Sequence, residues 1–409
     1  MEIMSRTTEM PIWRDSRAVA LLMAATLTVM ANATVSPALP GLQRLFADEH
    51  HSALLTRLLV TAPSLSIALL APLAGLAVDW IGRRVLLLAG IMLFVIAGTA
   101  GSYLPDLLTI FLSRIVLGIA VAFIMTAQTA LIGDYFTGGA RTALTGLQIS
   151  ARNFGGLVFI LLAGLVAMAS PRWVFGVYGI ALLMVPIAWM VIVEPRRPLS
   201  GSRDASPSGL EEAAKQWHLL FIGLMVLQSL TNMFFSIMPT QLPFFLEAGG
   251  YSGPAMTSLT LSVLMLSGGS VALAYSPIQR AIGYVGVYSA GYACMASGFL
   301  LLVVSSAPLF SLGGAALIGA GYAVVSPTFV GLTLALSPLH RRGLASGLLT
   351  ASVFIGQFIS PLLITPAIAS AGYEGPFLLV AVLLGSMAVI ALGSALLRTT
   401  QIRHSTDRI

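Results

Sequence analysis

The chain has 409 residues, of which 57% are hydrophobic and only 9% are charged, whereas a soluble domain carries about 25% charged residues. Its apolar residues form blocks of about twenty, the length that crosses a hydrocarbon core of ~30 Å as a helix, and a soluble core could not absorb so many apolar helices. The net charge of +6 does not indicate nucleic-acid binding, because the basic residues lie in short loops between the apolar blocks. The single cysteine, Cys294, excludes a disulfide framework and a cysteine metal cluster.

Twelve such blocks follow one another along the chain, and they predict an all-α membrane protein. They cover residues 17–40, 54–78, 85–104, 107–133, 143–168, 173–193, 217–241, 255–277, 285–304, 308–335, 345–370 and 376–397. If the N-terminus lies inside, most of the 21 Lys and Arg residues fall on the cytoplasmic side, and only Arg44, Arg57 and Arg172 fall outside. This bias predicts a multi-pass protein of a bacterial inner membrane with both termini in the cytoplasm.

The longest polar stretch, residues 194–216, is rich in Pro, Ser, Gly and charged residues. It predicts a flexible cytoplasmic linker between an N-terminal bundle of six helices, residues 1–193, and a C-terminal bundle, residues 217–409. A shift of 201 residues superposes the two halves without a gap, placing Gly82 on Gly283, Gly118 on Gly319, Ala122 on Ala323, Leu131 on Leu332, Arg141 on Arg342, Gly146 on Gly347 and Gly155 on Gly356. The register predicts two pseudo-symmetric six-helix bundles, an arrangement in which the binding site lies between the halves.

The loop after the second block carries a run of small, acidic and basic residues: Gly75, Asp79, Gly82, Arg83 and Arg84. Gly75 lets a neighbouring helix approach closely, and Gly82 permits a tight turn. Asp79 ends a helix, and the two arginines anchor the turn at the inner face of the membrane.

This loop resembles the signature of the major facilitator superfamily, at the position where that family carries it. Trp80 stands where the family usually has an arginine. Arg114 and Gly118 in the fourth block add a pattern similar to that of the same helix in the family. The resemblance extends over the whole chain in its span count, central linker and repeat. It implies the fold of that family and a small solute carried across the membrane by alternating access, with no cofactor.

Asp134 closes the fourth block and is expected beside Arg83 at the inner headgroups. By the resemblance, Asp79, Arg83 and Asp134 form a charge cluster that locks the inner gate when the protein faces outward. The alternative is an aspartate at a helix end near surface arginines, and such an isolated pair would contribute little.

Two arginines lie deep in the apolar blocks, although none of the 15 acidic residues does. A charge buried in a bilayer is costly enough to indicate a function. Arg114 is expected about 11 Å deep and within reach of Asn32, while Arg152 is expected near the midplane. The predicted cavity residues are Arg152, Arg114, Asn32, Gln128, Gln148 and Asn153. The alternatives are a structural Arg114 held by backbone carbonyls and Asn32, and an Arg152 capped by Gln148.

Aromatic residues offer a weaker indication of a pocket for flat apolar compounds. The candidates are Phe123, Phe154, Phe159, Phe234, Phe235, Phe244 and Phe245. In a chain of this hydrophobicity, most phenylalanines simply face lipid or neighbouring helices.

The resemblance is closest to the twelve-span drug:proton antiporter branches, which implies a monomeric exporter of a small organic or drug-like compound, with a proton as a candidate coupling ion. Two departures leave the coupling open. The fifth block has Gly155, Gly156 and Gly164 but lacks the branch's proline, and no carboxylate lies within a span. The alternative within transport is an importer or exchanger of an anionic metabolite that uses Arg152 and Arg114. An enzyme would need clustered catalytic groups at bilayer depth, and a receptor or scaffold predicts neither the repeat nor the loop motif.

Overall fold

The computed structural model describes residues 15–195, 213–251, 253–337 and 342–406. Within these ranges, twelve helical spans are long and apolar enough to cross a membrane. In chain order they are α1 Ser16–Leu45, α2 Ser52–Ile81, α3 Arg83–Thr99, α4 Leu107–Tyr135, α5 Gly138–Ala169, α6 Pro171–Val191, α7 Ala213–Phe235 with Ile237–Ala248, α8 Pro254–Leu273, α9 Tyr275–Val304, α10 Pro308–Leu336, α11 Arg342–Ala371 and α12 Glu374–Thr406. The prediction of twelve spans is confirmed.

Local sequence sets where these helices begin and break. The Asp106 carboxylate accepts a 2.8 Å hydrogen bond from the Thr109 amide and caps α4, and proline occupies the first turn of α8 and α10. Gly82, with φ +104°, makes the predicted tight turn between α2 and α3. Its repeat partner Gly283, with φ +67°, interrupts α9 in the same way, because only glycine adopts such angles without strain.

The internal repeat is also a repeat of contacts. The Ser66 hydroxyl donates to the Ile115 carbonyl at 2.8 Å, and 201 residues later the Ser267 hydroxyl donates to the Ala316 carbonyl at 2.5 Å. A Cβ added at Gly118 would lie 2.3 Å from the Pro63 carbonyl oxygen. A Cβ added at Gly319 would lie 2.2 Å from the carbonyl oxygen of Leu264, which is the repeat partner of Pro63. The sequence repeat therefore encodes the same close packing of α2 on α4 and of α8 on α10.

Two clusters of buried apolar side chains follow the two halves of the chain. One runs from Ala18 to Ile192 with the addition of Phe244 and Phe354, and the other lies mostly within the C-terminal half. Most of the predicted linker at 194–216 lies outside the described residues, so its conformation and the predicted domain bounds stay predictions.

The halves meet mainly through α2 against α11 and α5 against α8. Toward the end of the bundle that holds Arg44, which we call the Arg44 face, packing is tight: a side chain on Gly164 would begin 2.2 Å from the Ser258 hydroxyl. At the opposite end, the Arg83 face, no heavy atom of the described residues lies within 4 Å of a Cβ added at Gly75, Gly146 or Gly347. Among the described residues, the hydrogen bonds and the ion pair that join the halves all lie in the middle of the bundle or at the Arg44 face, which indicates that the halves are closed together at the Arg44 face and apart at the Arg83 face.

Candidate functional site

Polar side chains from both halves converge near the middle of their helices, where the bilayer would be driest. The Gln357 carboxamide oxygen of α11 accepts hydrogen bonds from Ser64 of α2 at 2.9 Å and from Asn32 of α1 at 3.3 Å. The Tyr322 hydroxyl of α10 donates to the Asn232 carboxamide oxygen of α7 at 2.8 Å. With Arg152 of α5, these residues form what we call the central cluster.

Arg152 lies on α5 and is half-buried. Its Nε is buried and has no hydrogen-bond partner among the described residues, and Tyr322 lies within range of electrostatic interaction. No ion pair involving Arg152 forms within the described part of the chain. Its guanidinium therefore keeps hydrogen-bonding capacity that a ligand could use.

Among the described residues, neither of the two polar neighbours predicted beside Arg152 forms a hydrogen bond with it. Gln148 is 9% exposed one turn earlier, and no hydrogen bond joins these two described residues, so the predicted capping by Gln148 is wrong. The Asn153 amide donates to the Ile149 carbonyl at 3.0 Å. The Asn153 side chain packs where α8 approaches closely, and a side chain on Gly269 would begin 3.2 Å from its Cβ.

Arg114 does not belong to the central cluster, and its predicted cavity role is wrong. It is 0% exposed and donates to the carbonyls of Ala97 and Gly98 at 2.9 and 2.6 Å. These carbonyls lie in the last turn of α3, where a helix attracts cations. The guanidinium carbon also lies 5.0 Å from the Phe175 ring centroid and 4.8 Å from that of Tyr178. Arg114 thus ties together α3, α4 and α6 inside one half.

The predicted partner of Arg114 lies elsewhere. Asn32 bonds across the halves to Gln357 instead, and its own carboxamide oxygen is buried without a partner among the described residues. Gln128 is also structural, because it is 1% exposed and donates to the Leu21 carbonyl at 2.5 Å, joining α4 to α1. Helical periodicity placed Gln128 on the same face as Arg114, but that face is turned away from the other half.

The loop motif is organised around a residue that the sequence did not indicate. The Glu194 carboxylate accepts from the amides of Arg83 and Arg84 at 2.7 and 2.8 Å, capping the N-terminus of α3. Arg84 donates to the Trp189 carbonyl at 2.7 Å and lies over the Trp189 ring at 4.6 Å. An acidic residue just after α6 was the available signal, since exposed amides at a helix start attract carboxylates.

One predicted pair of the charge cluster forms. The Arg83 Nε lies 3.0 Å from the Asp134 Oδ2 and forms an ion pair with it. The Nε–H group does not form a hydrogen bond with any described residue. The side chain of Asp79 lies outside the described part of the structure. Since Arg83 and Asp134 belong to the same half, their pair cannot by itself hold the halves together, and its predicted gating role stays a prediction.

A second feature missed from the sequence closes the Arg44 face. Arg57 of α2 is 8% exposed. Its Nε donates to Gln241 of α7 at 3.0 Å and its Nη1 to Gln43 at 3.1 Å, and its guanidinium carbon lies 3.8 Å from the Phe244 ring centroid. An ion pair between Arg44 and Glu247 also crosses the halves. We call these residues the Arg57 latch.

Comparisons with known proteins agree with this architecture. The sequence model of the Major Facilitator Superfamily matches residues 21–286, more than half of the chain. A D-xylose-proton symporter of known structure superposes with a TM-score of 0.75 at 18% identity, covering 92% of this chain and 96% of that one. The human organic anion transporter MFSD10 superposes with a TM-score of 0.69 at 18% identity, covering 93% and 99%. At these identities the likeness shows the fold.

Two sequence relatives carry names that concern drugs. The puromycin resistance protein of Streptomyces alboniger is 31% identical over 181 residues, which is 44% of this chain and 35% of that protein. A multidrug transporter protein of Bacillus subtilis is 24% identical over 156 residues, 38% of this chain and 28% of that protein. The chain therefore matches about a third of the length of each relative. Because the family model covers more than half of a chain that has the expected twelve-helix fold, this protein belongs to the major facilitator superfamily.

Proposed function

We propose that the protein exports a small organic, drug-like solute by alternating access. The observation that carries the proposal is the asymmetry between its two ends. The halves are latched at the Arg44 face and open at the Arg83 face, and the central cluster lies between them. A protein that exposes one binding site to the two sides in turn must pass through such a state.

If the Arg83 face is cytoplasmic, as the basic residues predict, this conformation opens the central cluster to the cytoplasm, where an exporter loads its solute and an importer releases it. The names of the drug-resistance relatives favour export and a drug-like solute. A reporter fused within residues 246–254 should report the outside and one after residue 405 the cytoplasm.

The described residues place constraints on coupling. Among them, no acidic side chain belongs to the central cluster, and the acid that joins the halves is Glu247 in the Arg57 latch. Proton antiport would need a titratable group outside the central cluster, because arginine does not deprotonate in proteins. Facilitated export would need none.

A second candidate is a carrier of an anionic metabolite. It is favoured by the unpaired Arg152 in the central cluster. Arg114, the other arginine expected to serve such a carrier, is bound to carbonyls within one half and does not contribute.

Transport into inverted membrane vesicles tests the proposal, with uptake of candidate compounds measured with and without an imposed pH gradient. Uptake above that of vesicles lacking the protein supports export. Arg280, exposed on α9, supplies the control variant Arg280→Gln, which should transport normally. If purified protein of known orientation in liposomes carries solutes only toward its cytoplasmic side, the export proposal is wrong.

A further inference from the structure

We infer that the central cluster recognises a flat aromatic carboxylate, with Arg152 binding the carboxylate and the ligand ring stacking on an outer face of the Phe235–Tyr322 pair. This inference rests on the proposed transport function and names the chemistry of the solute.

The aromatic part of the site is contributed by the C-terminal half. The rings of Phe235 on α7 and Tyr322 on α10 stack with centroids 3.8 Å apart and an angle of 16° between their planes. Each ring covers one face of the other, and both side chains are only partly buried. A planar ligand ring can therefore stack on an outer face of this pair, in the offset geometry that aromatic rings prefer.

Hydrogen bonds hold this surface in place before any ligand arrives. The Tyr322 hydroxyl donates to the Asn232 oxygen at 2.8 Å, and the Asn232 amide donates to the Gln228 carbonyl one turn earlier at 2.9 Å. Since the rings are already ordered, little conformational entropy is lost when a ligand stacks on them.

The charged part of the site is contributed by the N-terminal half. Arg152 approaches Tyr322 closely enough to interact electrostatically, yet its Nε is buried without a hydrogen-bond partner among the described residues. A guanidinium in a low-dielectric site favours an anion that satisfies several of its N–H groups at once. A carboxylate does so with two oxygens in the plane of the guanidinium fork.

The combination excludes simpler solutes. A lipophilic cation could stack on the rings, but it would be repelled by Arg152 at short range in a low dielectric. An aliphatic acid would satisfy Arg152 and leave the aromatic surface without a partner ring. Because charge and ring surface come from opposite halves, a ligand that uses both also bridges the halves.

Equilibrium binding to the intact purified protein in detergent tests the inference, with 2-naphthoate, 2-naphthamide, octanoate and ethidium as probes. We expect 2-naphthoate to bind at least about tenfold more tightly than each of the other three. Arg152→Gln should weaken 2-naphthoate binding about 10- to 100-fold, the range of a lost charged hydrogen bond, with little change for 2-naphthamide. Phe235→Leu should weaken both naphthalene compounds about 2- to 10-fold and leave octanoate unchanged.

Matched variants separate recognition from folding. Arg280→Gln replaces an exposed arginine of α9, and Phe111→Leu replaces a phenylalanine of α4 that lies away from the central cluster. Both variants should bind 2-naphthoate normally. Arg152→Lys keeps the charge without the planar fork, and it should retain intermediate affinity even if Arg152→Gln fails to fold. Equal binding of ethidium and 2-naphthoate, or full 2-naphthoate affinity in Arg152→Lys and Arg152→Gln, would overturn the inference.

Binding and flux are measured separately, so failure of the inference differs from failure of the proposed function. A protein that exports another solute from vesicles but binds 2-naphthoate no better than octanoate retains the function and overturns the inferred solute class. A protein that binds 2-naphthoate as expected but moves no solute in vesicles overturns the transport direction or cycle and retains the site.

Discussion

Removing Arg57 should open the Arg44 face. The contacts of Arg57 that cross the halves include its hydrogen bond to Gln241, its position over the Phe244 ring and an interaction with Tyr373. Gln43 and Ala53 accept its other hydrogen bonds within its own half. A hydrogen bond from a charged group contributes about 1.5–3 kcal/mol and a desolvated cation–π contact about 2 kcal/mol.

Because some of this is regained when the freed groups meet water, we expect the Arg57→Met variant to lose about 2–4 kcal/mol of preference for the closed face. Each 1.4 kcal/mol is tenfold, so the ratio of open to closed molecules at this face should rise by about 30- to 1000-fold.

Cysteine labelling measures this shift. Cys294 is the single cysteine and is first replaced by serine. Ala38, 1% exposed at the Arg44 face, is then changed to cysteine. Its reaction with a water-soluble maleimide should accelerate in proportion to opening when Arg57→Met is added.

The matched control is Arg172→Met, at the same face. Arg172 donates to the Leu104 and Pro105 carbonyls and lies 5.0 Å from the Phe46 ring centroid, entirely within one half. This variant should leave the labelling rate at position 38 unchanged. Equal rates in Arg57→Met and the parent protein would refute the assignment of Arg57 as a latch.

Three further predictions concern folding and the loop motif. Gly118→Ala and Gly319→Ala should each lower the unfolding temperature by similar amounts in thermal melts, since each added methyl would lie within 2.3 Å of a backbone oxygen; a large difference between them would contradict the shared packing. Arg114→Met should reduce the yield of folded protein, because the carbonyls at the end of α3 lose their donor, while the solute preference per folded molecule stays the same; a changed preference would return Arg114 to the binding site. Glu194→Gln should cost about 0.5–2 kcal/mol as a weakened cap and speed proteolysis between α2 and α3, and an unchanged cleavage rate would remove Glu194 from this role.

Much of the architecture could be predicted because a bilayer reduces the problem to length and polarity. Twelve apolar blocks became twelve spans, and the turn at Gly82 with its counterpart at Gly283 followed from the need for glycine at positive φ. These features are local, so they need no knowledge of which helices are neighbours.

The roles of the two arginines inside the spans could not be separated in the same way. Burial alone made Arg114 and Arg152 equivalent, and periodicity gives only the face of a helix. The difference arises because α3 and α6 cover the Arg114 face of α4, whereas the Arg152 face of α5 meets the other half. The roles of Arg57 and Glu194 could not be predicted for a related reason, because their partners lie 184 and 111 residues away in sequence.

The cap on α3 by Glu194 bears on how this chain can be divided into two separately expressed pieces. Glu194 is among the last described residues before the gap at 196–212, yet its carboxylate completes a turn more than a hundred positions earlier. A break introduced after residue 195 leaves Glu194 on the first fragment, together with α3. A break after residue 193, where the apolar sequence ends, places Glu194 on the second fragment and removes the cap from α3. The functional boundary of the first piece is thus set by a single carboxylate beyond the last apolar residue, and complementation between fragments should depend on which side of Glu194 the chain is cut.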